Sequence, residues 1–167
     1  MTGLLFVMER IQFMGSGRSG LYSSLAQSAS GRASISVPVS TITHASIGEY
    51  PKNAKKLKSG CHSQAGIEEL KRRGIRFKIE KTLKNGVRVG YVKDHTHKMK
   101  RKSGGQMWFP KNWTEGDIKK AGMAVLKAHK GRIKNGSMIT GWYNKVRVGI
   151  IIGDGKIKTI FPTYEQE

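Results

Sequence analysis

Apolar and polar residues alternate twice between residues 75 and 93. Ile75, Phe77 and Ile79 interleave with Arg76 and Lys78; the chain then meets Asn85-Gly86, and Val87, Val89 and Tyr91 resume the alternation. A period of two on either side of an Asn-Gly pair predicts an antiparallel hairpin. Its outward face would be a basic strip of Arg76, Lys78, Lys81, Arg88 and Lys93. Before this hairpin, Ala65, Ile67 and Leu70 recur at helical spacing and Gly74 follows, which predicts a short helix with a glycine stop. After it, Thr114 and Asp117 resemble a capping box with Asp in place of the usual Glu. Ile118, Ala121, Val125, Leu126 and His129 then line one helical face, with Gly131 as the stop and His129 where an imidazolium suits the helix dipole. "KVRVGIIIGDGKIKTIFP" closes the chain with a second hairpin around Gly153-Asp154-Gly155.

The first forty residues pattern less clearly. Residues 4–14 form a short amphipathic piece of either type, "GSGRSG" (15–20) a flexible connector, and "LYSSLAQSA" (21–29) a helix. The connector has no lysine at the phosphate-loop position and follows no clear strand, so it is not a nucleotide-binding loop. Residues 30–43 are Ser/Thr-rich and β-branched, which reads as loop with a strand ending at His44. A helical N-terminal lobe followed by hairpin, helix and hairpin makes an α+β class.

Charge changes the picture. The 167 residues carry a formal net charge of +20, of which residues 1–50 hold +1 and residues 51–167 hold +19. So basic a region repels itself unless a polyanion or an acidic partner offsets the charge, and nucleic acid is the first candidate. The single cysteine, Cys61, excludes an internal disulfide and a Cys-based zinc cluster. The apolar run "GLLFVM" is too short for a membrane span or a signal peptide. If the protein is exported, the signal is expected elsewhere, with this chain a piece of a longer one.

Two of the five histidines flank turns in "THASIGEYPKNAKKLKSGCHS" (43–63), with Lys52, Lys55, Lys56 and Lys58 between them. Cleavage of RNA without a metal needs a base for the 2′-hydroxyl, an acid for the leaving 5′-oxygen, and a cation for the charge that builds on phosphorus. Two imidazoles can share the acid and base roles near neutral pH, and lysine supplies a compact cation. Both His44 and His62 lie beside glycines, where backbone can approach a phosphate, and the lysines between them form an electrostatic funnel. The bland alternative is that both are polar loop residues. Asp94, His95 and His97 would make at most a partial metal site; with no further ligand cluster beside them, these loop histidines are expected to face phosphate or water, and no metal or cofactor is expected. "WFPKNW" is expected in the core, as the apolar entry to the following helix.

Four motifs in order carry a resemblance. "HASIG" starts at His44, "GCHS" ends at Ser63, "WFPKNW" precedes a helix, and "TIFP" runs from Thr159 to Pro162. Over roughly residues 44–162 the chain resembles the EndoU ribonucleases, in particular their bacterial toxin branch. The resemblance implies a variable N-terminal segment over residues 1–43 and an EndoU-like nuclease core over residues 44–167. It implies His62 as general base and His44 as general acid, roles open to exchange. The family's lysine precedes the "F-P" box; Lys98, Lys100 and Lys102 all precede it here, and Lys102, nearest the box, is expected to be the catalytic cation. Thr159 would contact the substrate base or order the site. Phe161 takes the position of an aromatic that stacks on the base in coronavirus uridylate-specific relatives, without offering a hydroxyl. Lys55 and Lys100 would bind substrate phosphate.

The resemblance further implies metal-independent transesterification leaving a 2′,3′-cyclic phosphate and a 5′-hydroxyl, with tRNA as substrate. It implies a monomeric toxin domain without a membrane segment, delivered by a secreted or cell-surface effector into the cytoplasm of a target bacterium. It also implies an acidic cognate immunity protein, whose apolar anchor would be Trp108, Trp142 or Tyr164 if exposed. Two other readings explain the charge: a non-catalytic RNA-binding module of ribosomal-protein type, and a basic structural protein that binds a partner. Only the nuclease needs two histidines and a lysine to converge.

Overall fold

The computed structural model describes residues 35–129 and 133–167. The expected first hairpin is β1 (Phe77–Thr82) and β2 (Arg88–Val92), and the Gly86 N–H closes its turn by donating to Leu83 O at 2.9 Å. Gly86 stands at φ +93°, which a residue with a Cβ rarely adopts. A register shift between Ile79 and Lys81 leaves Glu80 as an extra residue in β1. Arg88 does not belong to the outward basic strip. It shares the buried face of β2 with Gly90 and Val92, opposite Trp108 of β3 (Gln106–Trp108). Its guanidinium donates to Gln64 Oε1 and to Phe109 O, both at 2.6 Å. With β3 on the far edge of β2, the first sheet has the order β1-β2-β3.

Helix α2 (Gln64–Arg72) starts where the Ser63 hydroxyl accepts from Gly66 N–H at 3.1 Å. It turns Ile67 and Leu70 onto Leu57, Cys61, Ile75, Val92 and Trp108, the buried cluster behind the first sheet. Each aliphatic side chain buried there contributes about 1.5–3 kcal/mol. Trp108 and Phe109 of the "WFPKNW" segment are both fully buried, as expected.

Helix α3 (Glu115–Ala128) carries both halves of the expected capping box between Thr114 and Asp117. Ile118, Ala121, Gly122 and Val125 form its buried face, and His129 Nδ1 donates to Val125 O at 3.0 Å, satisfying a carbonyl of the last turn. The expected stop at Gly131 lies outside the described residues. The second sheet has three strands rather than one hairpin: β4 (Met138–Tyr143), β5 (Val146–Gly153) and β6 (Lys156–Pro162), in that order. The added strand turns back through Asn144 and Lys145, both with positive φ (46° and 66°). That is the geometry a two-residue hairpin needs, written without the usual glycine. Val148, Ile150, Ile152, Ile157 and Ile160 are buried in this sheet. A Cβ on Gly122 would lie 2.6 Å from Ile160 Cδ1, so α3 approaches β6 closely. Ile151 pairs with Thr159 and Gly149 with Phe161 across β5 and β6.

The largest departure from expectation is α1 (Val39–Ser46), a helix where a loop and a strand ending at His44 were expected. Ile42 and Ala45 are buried, and the Thr41 hydroxyl donates to Ile157 O of β6 at 2.6 Å. Packing against β6 and α3 overrides the β-branched preference of "VSTIT". Residues 37–167 form one compact unit of α+β class. The expectations for residues 4–14, 15–20 and 21–29 lie outside the described residues.

Candidate active site

Proximity of the two histidines is a backbone matter. The carbonyls of a helix's last turn lack partners within the helix. Those of α1 find them in the chain leading to α2: Cys61 N–H donates to His44 O (3.1 Å), His62 N–H to Ala45 O (2.7 Å) and Ser63 N–H to Ser46 O (3.4 Å). The hydroxyls of Ser46 and Ser63 add a bond of 2.9 Å. Three consecutive donors thus lash the His62 segment to the helix end that carries His44. The lashing needs a sharp bend, made by Gly60 at φ +75° and Cys61 at φ +66°. A Cβ on Gly60 would collide with the carbonyl oxygen of His44. Buried Gln106 steadies the bend from β3, donating from Nε2 to Gly60 O (3.1 Å) and Cys61 O (3.0 Å).

His62 is 7% exposed and held at three points. Its N–H reaches Ala45 O, its carbonyl accepts from Phe109 N–H at 2.7 Å, and its ring bonds Met107 O at 2.8 Å through Nδ1. A carbonyl only accepts, so Nδ1 carries the proton and Nε2 holds the lone pair. Burial, and next the nearby Lys100 ammonium, push the His62 pKa down to about 3, so the ring is neutral at neutral pH. The partner of His44 is different: its Nδ1 donates to the Glu49 carboxylate at 3.0 Å. That fixes the ring and places a counter-charge beside it.

Both histidines line a cavity of about 220 Å³ with Gly60, Lys100, Met107, Ile151, Thr159, Phe161, Pro162 and Tyr164. Helix α1, β3, β6 and the loop before β3 each contribute to its wall. Phe161 tilts against His62, ring centroids 6.3 Å apart, and packs over Gly149, where a Cβ would lie 2.8 Å from its ring. A larger open hollow of about 710 Å³, lined by Glu49, Tyr50, Pro51, Lys52, Lys58 and Thr96, holds cations but no imidazole. Of the two, the smaller cavity is the one that holds imidazoles; Glu49 lines the larger hollow and meets the smaller one through its bond to His44.

His44, His62, Lys100, Thr159 and Phe161 all line this cavity. Lys102 and Lys55 do not line the cavity. Lys55 lies at the end of α2, its ammonium 3.3 Å from where a Gly74 Cβ would stand. The loop before β3 explains the lysines. It contains a 3₁₀ turn, Lys98–Arg101, in which residues three apart share a face. Arg101 folds back, donating from Nε to His95 O (2.6 Å) and from Nη2 to Thr96 O (3.1 Å). Lys100 is turned to another side, into the cavity, where burial lowers its pKa. Lys102 follows the turn in extended backbone and is exposed. Among the described residues the Lys100 ammonium has no carboxylate partner.

His95 does not face phosphate or water as expected. It is buried, its Nδ1 accepts from His97 N–H at 2.8 Å, and burial lowers its pKa to about 4. Asp94 is engaged by Arg76, whose Nε lies 2.9 Å from Oδ2, and among the described residues no group of three or more His, Cys, Asp or Glu could hold a metal ion. Of the three aromatics considered as partner anchors, Trp108 is buried while Trp142 and Tyr164 are exposed. Sequence reasoning missed Glu49, Gln106 and Met107. Only Gln106 left a trace, as the polar residue opening an otherwise apolar run.

A family model described as bacterial EndoU nuclease matches residues 38–164, and that span contains every residue of the cavity. The chain belongs to the bacterial EndoU nuclease family. Neither curated proteins nor solved structures gave a match. Membership makes this chain an endoribonuclease and favours catalysis over a passive RNA-binding module. It also covers α1 and β6, the two elements that bring His44 and the Thr159–Phe161 strand to one cavity. Among the described residues, no helix of this EndoU chain is long and apolar enough to cross a membrane.

Proposed function

We propose that this EndoU chain cleaves RNA by metal-independent transesterification, with His62 as general base, His44 as general acid and Lys100 as the cation on phosphorus. The carrying observation is that one cavity gathers two imidazoles in different settings beside an ammonium that has no carboxylate partner among the described residues. Neutral His62, with its Nε2 lone pair, is ready to take the 2′-hydroxyl proton. His44, backed by Glu49, is placed to return a proton to the departing 5′-oxygen. As the oxygens of the phosphorane gain charge, Lys100 stabilises it without moving far on its flexible stem. A 2′,3′-cyclic phosphate and a 5′-hydroxyl result. Thr159 and Phe161 border the space where the ribose and base of the cleaved nucleotide would sit.

The net charge of +20 supports tRNA, an abundant compact polyanion, as the substrate. It equally supports an acidic immunity protein covering the cavity in the producing cell, where steered association and substrate exclusion coincide. The setting in this reading is a monomeric toxin domain brought into the cytoplasm of a target bacterium by a larger effector. A variable segment would come first, and the core would reach back from residue 44 to include all of α1, whose Thr41 and Ile42 are already buried. Incubating the purified protein with total tRNA in excess EDTA, then mapping product ends, tests the reading. Discrete cuts with cyclic phosphate ends are expected; intact tRNA, or cutting only when a divalent metal is returned, contradicts it.

A further inference from the structure

Tyr164 belongs to the cavity wall, yet the residue is 65% exposed. An aromatic left in water is usually mobile, and this one is held at its hydroxyl and through the residues on either side of it. Thr163 N–H donates to Arg147 O at 3.0 Å, and Gln166 Nε2 donates to Arg147 O and Thr163 O, both at 2.8 Å. Gln166 Oε1 in turn accepts from Arg147 N–H at 3.0 Å and from Asn85 Nδ2 at 2.9 Å. The phenol hydroxyl donates to Gly105 O at 3.0 Å, tying the ring to the loop that carries Lys100. The Lys100 ammonium lies over the ring, 5.8 Å from its centroid. Among the described residues no other aromatic ring stacks on it. Phe161 contrasts with it, its ring already engaged by His62 and Gly149.

A rigid, open π-face beside a phosphate-binding cation is what an unpaired nucleobase needs. We infer that Tyr164 is a stacking platform for the base next to the cleaved nucleotide, so that the site takes unpaired RNA of two or more nucleotides. The inference rests on the ribonuclease reading for the identity of the cleaved nucleotide. A cavity of about 220 Å³ is small even against ordinary ligand pockets, so it holds one nucleotide's reacting groups and leaves the neighbouring base at the rim. Bases inside a duplex are stacked on each other and cannot reach the platform, which restricts the substrate to loops and single-stranded ends.

The experiment measures binding of a labelled single-stranded hexanucleotide, 2′-O-methylated so that it carries no nucleophile, alongside kcat and KM on the unmodified hexanucleotide. Tyr164→Ala should weaken binding roughly five- to 150-fold, the range set by one base–aromatic stack, and raise KM more than it lowers kcat. Tyr164→Phe should recover most of that loss, and Tyr164→Leu, which keeps bulk without a π-face, should not. Melting temperatures of all three identify any variant that fails to fold, and the Leu and Phe pair then decides. Equal affinity in the Ala variant overturns the inference. So does an equal loss in the Phe variant, which would assign the effect to the hydroxyl anchor. If the unaltered protein binds the hexanucleotide through Tyr164 but cuts no RNA, the nuclease reading falls and the platform stands.

Discussion

His62 and Lys100 face the same cavity and are held in opposite ways. Three hydrogen bonds fix the histidine by its N–H, its carbonyl and its ring, and the chain before it is lashed to the end of α1. The lysine stands on a 3₁₀ turn of otherwise exposed residues, and its ammonium has no carboxylate partner among the described residues. The difference matches the work proposed for each. A base must present one nitrogen, in one tautomer, at one distance, so freedom there is lost rate. A counter-charge must follow oxygens as they move and gain charge, and a flexible stem serves that.

Removing the imidazoles breaks the rigid half most severely. His62→Ala and His44→Ala should each lower single-turnover cleavage by about 10² to 10⁴, the usual contribution of a general acid or base. The melting temperature should change modestly, since His62→Ala leaves one buried carbonyl, Met107 O, without its donor, at about 1 kcal/mol. Near-normal rates in either variant would remove that residue from the mechanism. Lys100→Ala tests the flexible half. It should cost about 10² to 10³ in kcat, the scale of a lost oxyanion donor, while Lys102→Ala stays within about twofold. Equal losses in the two variants, or losses confined to KM, would contradict the assignment of the cation to Lys100.

That contrast also divides what was legible in the sequence from what was not. Helix α2, the capping box of α3 and both predicted hairpins follow from signals a few residues long, such as Asn85-Gly86 or Thr114 with Asp117. The histidine motifs were legible because their glycines mark a bend that only glycine tolerates, with Gly60 against the His44 carbonyl. Helix α1 was not, because "VSTITHAS" has β-branched composition and no side-chain cap, and becomes helical through burial against distant β6. Strand β4 hid behind an Asn144-Lys145 turn. Choosing Lys100 over Lys102 needs the direction of a 3₁₀ turn set by Arg101, which no spacing rule supplies.

Two smaller perturbations sharpen the comparison. Gln106→Leu leaves the carbonyls of Gly60 and Cys61 without their buried donor. About 1–3 kcal/mol of stability should go, and kcat should fall roughly ten- to hundredfold through misplacement of His62, with KM little changed. A loss in KM alone would show that Gln106 does not position the base. Acid acts more gradually. The His62 pKa is pushed from 6.5 to about 3 and that of His95 from 6.5 to about 4. Below pH 6.5 the unfolded chain therefore binds more protons than the folded one. The stability these neutral rings contribute is complete above pH 6.5 and is lost as pH falls toward 3. The melting temperature should be steady from about pH 7 upward and decline below it, with a shallower decline in His62→Gln. An identical decline in that variant would mean the ring is not held neutral.

The central claim is that the 2′-hydroxyl is the nucleophile and His62 its base. Once a cleaved bond has been mapped, one measurement tests this most directly: single-turnover cleavage, in EDTA, of an oligoribonucleotide carrying a single 2′-deoxyribose on the 5′ side of that bond. The account predicts that cleavage at the substituted position vanishes while binding and any cuts elsewhere persist. Undiminished cutting at the same phosphate would mean that water or another group attacks, and that the two histidines and Lys100 do something else.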